Sequence, residues 1–100
     1  MLKHIVIWKF KEAAEGASRE ENLKRAKALI ESLRGRILEI RQLEVGIDVS
    51  QSEQSYDLVL TSEFSDINAL QAYQKHPDHV RVVEFLGKVH NGRIVVDYLS

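Results

Sequence analysis

Four histidines, His4, His76, His79 and His90, are the side chains of this chain able to exchange protons near neutrality. Two of them lie close together in the run Tyr73-Gln-Lys-His76-Pro77-Asp78-His79. Proline cannot continue a helix, because it lacks the N–H and its ring clashes with the preceding turn. The break at Pro77 can therefore turn Tyr73 and His79 toward one space, and His4 on the first strand can join them. A histidine as base beside a tyrosine as hydrogen-bond donor is a proton-transfer set, with Tyr73, His79 and His4 as the candidate catalytic residues. The same residues have a structural reading, in which His76 caps a helix, His79 is solvated and His4 is a satisfied core group. His90, beside the turn signal Asn91-Gly92, is expected at the surface. His76 and His79 have a spacing that lets two residues share a helix face, but Pro77 interrupts it. Only His4 or Asp78 offers a third ligand, so neither a metal nor any other cofactor is expected.

Other chemistries are excluded more firmly. The chain has no cysteine, which removes thiolate nucleophiles, disulfides and iron–sulfur ligation. No G-x-x-x-x-G-K-[ST], G-x-G-x-x-G or G-x-S-x-G pattern occurs, so nucleotide binding and serine hydrolysis find no support. Fourteen Lys and Arg against fifteen Asp and Glu give a formal net charge of -1, which argues against a nucleic-acid partner. The cluster Lys24, Arg25 and Lys27 lies beside Glu20, Glu21 and Glu31 and reads as a solvated helix face. With 44% apolar and 29% charged residues the chain is too apolar for disorder, and its 100 residues suit one domain, residues 1–100. No apolar run is long enough to span a membrane and no leader pattern opens the chain, so a cytoplasmic location is expected.

The elements that must position these residues follow from periodicity. Leu2, His4, Val6, Trp8 and Phe10 alternate with Lys3, Ile5, Ile7 and Lys9, the pattern of a half-buried strand. Glu12 to Ala17 reads as a loop. Ser18 and Glu21 have capping-box spacing, and Leu23, Ala26, Leu29, Ile30 and Leu33 continue a helix that Gly35 is placed to end. Leu43, Val45, Ile47 and Val49 make a second strand, Ser50 to Ser55 a hairpin connection, and Tyr56 to Phe64 a third strand. Ser65 or Asp66 can cap a helix carrying Ile67, Leu70 and Tyr73. Pro77 then opens another, with Val80, Val83, Phe85, Leu86 and Val89 on its apolar side. Ile94 to Leu99 closes the chain as a β-branched strand. The order βαββαβ predicts a ferredoxin-like α+β fold, one four-stranded antiparallel sheet with both helical layers on one face. The other face still carries Ile5, Ile7, Val59, Val95 and Leu99. That is enough aliphatic surface to predict a homodimer packed through Ile5, Ile7 and Val59.

The opening LKHIVIWKFK resembles the start of stress-responsive A/B-barrel (Dabb) domains, and the resemblance runs through LEVGIDVS, YDLVLTSEFSDINALQAYQKHPDHVRVVEFLGKV and RIVVDY. It implies a dimeric α+β barrel with a small, mostly apolar pocket between sheet and helices, walled by Val6, Trp8, Leu58 and Leu60 with His76 beside it. The ligand so implied is a small apolar or carbonyl-containing molecule. The chain is more distantly similar to the olivetolic acid cyclase branch, which closes a linear polyketide by aldol-type condensation. By position in the motif, His79 matches that branch's base, Tyr73 its tyrosine and His4 its first-strand histidine. Where that branch carries a further histidine on the third strand, this chain has Leu58.

Overall fold

The computed structural model describes all 100 residues, in the order β1 (Leu2–Phe10), β2 (Ala13–Ala14), β3 (Ala17–Ser18), α1 (Arg19–Glu31), β4 (Gln42–Ile47), β5 (Leu58–Phe64), α2 (Ile67–Lys75), α3 (Pro77–Val89) and β6 (His90–Leu99). The four long strands form one antiparallel sheet in the order β4-β5-β1-β6, as the ferredoxin-like reading requires. The segment expected to be a plain loop is a miniature hairpin. Ala14 pairs with Ala17 across Glu15 and Gly16, which both have positive φ, the backbone twist a two-residue hairpin turn needs. No helix is long and apolar enough to cross a membrane.

Helix α1 starts where the capping box predicts. The Ser18 hydroxyl accepts from the Glu21 amide at 3.2 Å, and the Glu21 carboxylate accepts from the Ser18 amide at 3.1 Å. Regular helix stops at Glu31, before Gly35. The Ser32 hydroxyl donates to the Leu29 carbonyl, and the amides of Leu33 and Arg34 bond only three residues back, so the chain tightens into consecutive turns. Gly35 takes the left-handed conformation within that run, with φ +85, while Leu33 and Ile37 remain in the core.

The second helical region is divided as expected. Asp66 caps α2, its carboxylate accepting from the Ala69 amide, and Pro77 sits in the first turn of α3. The buried stripe of α3 is Val82, Leu86 and Val89, not the set that includes Val80 and Val83, which are 42% and 48% exposed. Val82, Leu86 and Val89, four and three residues apart, share one helix face, and Val80 and Val83 fall to its side. Two strand limits also shift. Val49 lies beyond β4 and is almost fully exposed, and β5 begins at Leu58 rather than Tyr56. Asp57, just before β5, still bonds both neighbouring strands through its backbone, to the Trp8 carbonyl and the Asp48 amide, and its carboxylate also accepts from the Phe10 amide at 2.7 Å. Asn91-Gly92, read as a turn, lies inside β6, which follows α3 directly and shifts register opposite Lys9 and Phe10.

Helices cover the face of the sheet that carries Val6, Trp8, Phe10, Leu60 and Phe64, all buried. Register decides what β6 adds to each face. Ile5 pairs with Val96 and Ile7 with Ile94, whereas His4 pairs with Asp97 and Val6 with Val95. Directly opposed residues share a face. Val95 and Leu99 therefore belong to the inner face, contrary to the expectation that placed them outside. Ile94, Val96 and Tyr98 instead join Ile5, Ile7 and Val59 on the outer face. From Leu2 to Lys9, odd positions of β1 oppose even positions of β6, so the two parities exchange faces between these strands.

Candidate functional site

Between the inner face of the sheet, the end of α1 and the flank of α3 lies a cavity of about 100 Å³. Its apolar walls include Val6, Trp8, Leu60, Ile30 and Leu86, and its polar lining is His4, Tyr73, His79, His90 and Arg93. A larger groove of about 570 Å³, near the start of α1, is lined mainly by charged and polar groups. Its acids already have partners: Asp48 accepts from Ser55 and the Gln51 amide, Asp57 from the Phe10 amide, and Glu20 faces Lys24. The smaller cavity is where ring nitrogens and a hydroxyl remain uncommitted.

Each imidazole of the cavity is oriented through Nδ1. His4, brought inward by the alternation of β1, donates Nδ1–H to the Asp97 carboxylate at 2.5 Å. His79, in the first turn of α3, donates Nδ1–H to the Gln74 carbonyl at 3.1 Å. His90 donates Nδ1–H to the Leu86 carbonyl at 2.5 Å. A carbonyl or carboxylate oxygen can only accept, so the proton is placed on Nδ1 and Nε2 of each ring is left for the cavity.

Tyr73, near the end of α2, completes the set. Its ring centre lies 4.3 Å from that of His79, 6.3 Å from that of His4 and 4.9 Å from that of Phe64. The Tyr73 hydroxyl and the Nε2 atoms make no hydrogen bond within the chain, yet no sealed-off polar side-chain atom lacks a partner. These atoms therefore keep some accessible surface, and the residues that carry them all line the cavity.

Burial pushes the Tyr73 phenol up to about 12, against a smaller opposing pull from the Arg93 charge. The hydroxyl thus keeps its proton at neutral pH and acts as a donor. Burial also holds His79 below the usual imidazole range. The bond to Gln74 works the other way, and the charges of His4, Arg93 and His76 add to the lowering. A neutral imidazole with Nδ1 already donating presents a lone pair on Nε2. Proton acceptor and proton donor thus stand side by side, as abstraction of a proton next to a carbonyl requires.

The structure brings His4, Tyr73 and His79 together, with Val6, Trp8 and Leu60 in the walls. Two residues expected there lie elsewhere. His76 does not line the cavity, because its Nδ1 is taken up in capping α3, where it accepts from the Asp78 amide at 3.1 Å. Leu58 is buried at the start of β5 opposite Trp8, and the Trp8 indole rather than Leu58 forms the wall there. His90 is also corrected: the absence of a turn at Asn91-Gly92 keeps it in the cavity lining rather than on the surface. Sequence reasoning missed Asp97 and Arg93. Asp97 carries a signal, being the one acid in the β-branched run IVVDYL, but its partner depends on register.

Residues 2–100 match the sequence profile of the stress responsive A/B barrel domain. An uncharacterised protein of Streptomyces coelicolor is 32% identical over 82 residues, spanning 79% of each chain. Among solved structures, a dimeric protein of unknown function and ferredoxin-like fold from Bacteroides fragilis is similar at 30% identity and TM-score 0.86, covering 97% of this chain and 93% of that one. A protein of Arabidopsis thaliana is 28% identical at TM-score 0.79, covering 100% of this chain and 95% of that one. A profile match over nearly every residue, together with the same fold in similar chains, settles the family. The chain belongs to the stress-responsive A/B barrel (Dabb) domain family.

Proposed function

We propose that this chain, acting as a single domain, forms a homodimer and binds a small carbonyl-bearing apolar molecule in the cavity between sheet and helices. The observation that carries the ligand reading is the gathering of the Tyr73, His79 and His4 rings in the lining of one largely apolar cavity. Few polar groups in an apolar cleft are the usual form of a small-molecule site. A carbonyl oxygen would accept from Tyr73, and its carbon chain would lie against Val6, Leu60 and Leu86. The dimer reading is supported by the outer face, where Ile94 and Val96 are 47% and 54% exposed beside Ile5, Ile7 and Val59. The similar protein from Bacteroides fragilis is dimeric.

Calorimetric titration with the neutral ketone 2-pentanone tests the ligand reading. Tyr73→Phe removes only a hydroxyl with no partner in the chain, so it should weaken binding about five- to tenfold, the scale of one hydrogen bond. Its melting temperature should hardly move. A large loss of melting temperature with unchanged binding would make Tyr73 a structural residue and overturn the reading.

A second reading, an aldol-type cyclase-like enzyme, is favoured by the neutral state of His79. In that reading Nε2 takes a proton from the carbon beside the carbonyl, and the enolate oxygen accepts from Tyr73. Exchange of the α-protons of 2-pentanone in deuterated water, followed by NMR, would be catalysed by the wild type and abolished in His79→Ala. Exchange no faster than in buffer contradicts it.

A further inference from the structure

We propose that Arg93 is a carboxylate anchor, so that the ligand class of the cavity is a short oxo acid rather than a neutral ketone. The inference rests on the pocket reading above and adds the charge of what enters it. Arg93 lies on the inner face of β6, paired across the ladder with Trp8, and both line the cavity. It is also exposed, so a residue of the cavity lining is accessible from solvent. None of the chain's ion pairs uses it. No Asp or Glu lines the cavity, and the nearest acid on its own strand face, Asp97, is committed to His4. A guanidinium is permanently charged and presents paired donors that match a carboxylate. An unpaired one beside the protonated Tyr73 hydroxyl and the neutral His79 ring selects an anion.

The remaining chemistry fits the same molecule. The carboxylate would sit on Arg93, the oxo oxygen would accept from Tyr73, and the tail would occupy the apolar end. A cavity of about 100 Å³ suits a short tail.

The test compares 2-oxopentanoate with 2-pentanone, which share the chain and the carbonyl and differ by the carboxylate. Calorimetric titrations at pH 7 would use the wild type, Arg93→Gln and Arg93→Lys. The wild type should bind the acid at least about tenfold more tightly than the ketone, the scale of a hydrogen bond to a charged group. Arg93→Gln should erase that preference by lowering the affinity for the acid to that for the ketone in the same variant, and Arg93→Lys should restore part of it. Equal binding of acid and ketone by the wild type overturns the anchor while leaving the pocket reading standing. A preference that survives Arg93→Gln does the same. If neither compound binds, the pocket reading fails and the anchor with it. The wild-type ratio decides the matter even where a variant folds poorly.

Discussion

His79 is held in its neutral form chiefly because burial penalises the imidazolium, and this makes the residue a reporter of pH. In the unfolded chain it takes up a proton near its ordinary value of 6.5, whereas in the folded chain the proton is resisted to a lower pH. The unfolded state therefore binds more protons in the window from 6.5 down to the lowered value. Stability rises with pH wherever that is so. His79 thus contributes no penalty above the window and an increasing one as pH falls through it. Chemical denaturation between about pH 7 and 5 should show a smaller acid loss for His79→Gln than for the wild type. An NMR titration should place the His79 midpoint below 6.5. His4 poses a different question, since its Nδ1–H is buried against Asp97. Asp97→Ala strands that donor and should cost about 1–3 kcal/mol in urea denaturation. The inward position of His4 was legible from strand alternation alone. Its partner was not, because a side chain opposite is fixed by register between strands far apart in sequence.

The elements deliver these residues through a few local devices that the sequence writes openly. The capping box of Ser18 and Glu21 needs only spacing to be seen, and both of its hydrogen bonds form. Ser18→Ala should lower stability by about 1 kcal/mol, measurable as a shift of the urea midpoint at constant slope. Pro77 is equally readable as a break, but the inward face of the next helix is not. In α3 that face falls on Val82, Leu86 and Val89, so Val80 and Val83 are left half-exposed. His76 is used in the cap of that helix. His76→Ala should therefore lower the melting temperature slightly and leave 2-pentanone binding as in the wild type, a contrast with Tyr73→Phe in the same titration. The order βαββαβ determined strand order, because short connections and right-handed crossovers leave few alternatives. The parity of β6 was beyond it, since the strand begins at His90, inside what reads as a turn, and shifts register at Lys9 and Phe10.

At the scale of the whole molecule, the two faces of one sheet present different residues. The helices, and the cavity with them, occupy the inner face, and the outer face carries Ile5, Ile7, Val59, Ile94 and Val96, the surface proposed above for a second copy. Ile7→Asp places a charge in the middle of that outer surface, and burying an unpaired charge is strongly unfavourable. Sedimentation should show a dimer for the wild type and a monomer for Ile7→Asp, with helical circular dichroism retained. A wild type that sediments as a monomer at micromolar concentration ends the dimer reading. The central claim, that His4, Tyr73 and His79 face one ligand cavity, is tested most directly by side-chain NMR during a titration with 2-pentanone. The ring signals of Tyr73, His79 and His4 should shift together and saturate at one ligand concentration, while the methyl signals of Ile5 and Ile7 stay in place. Shifts confined to the outer face, or ring signals that never move, would contradict it.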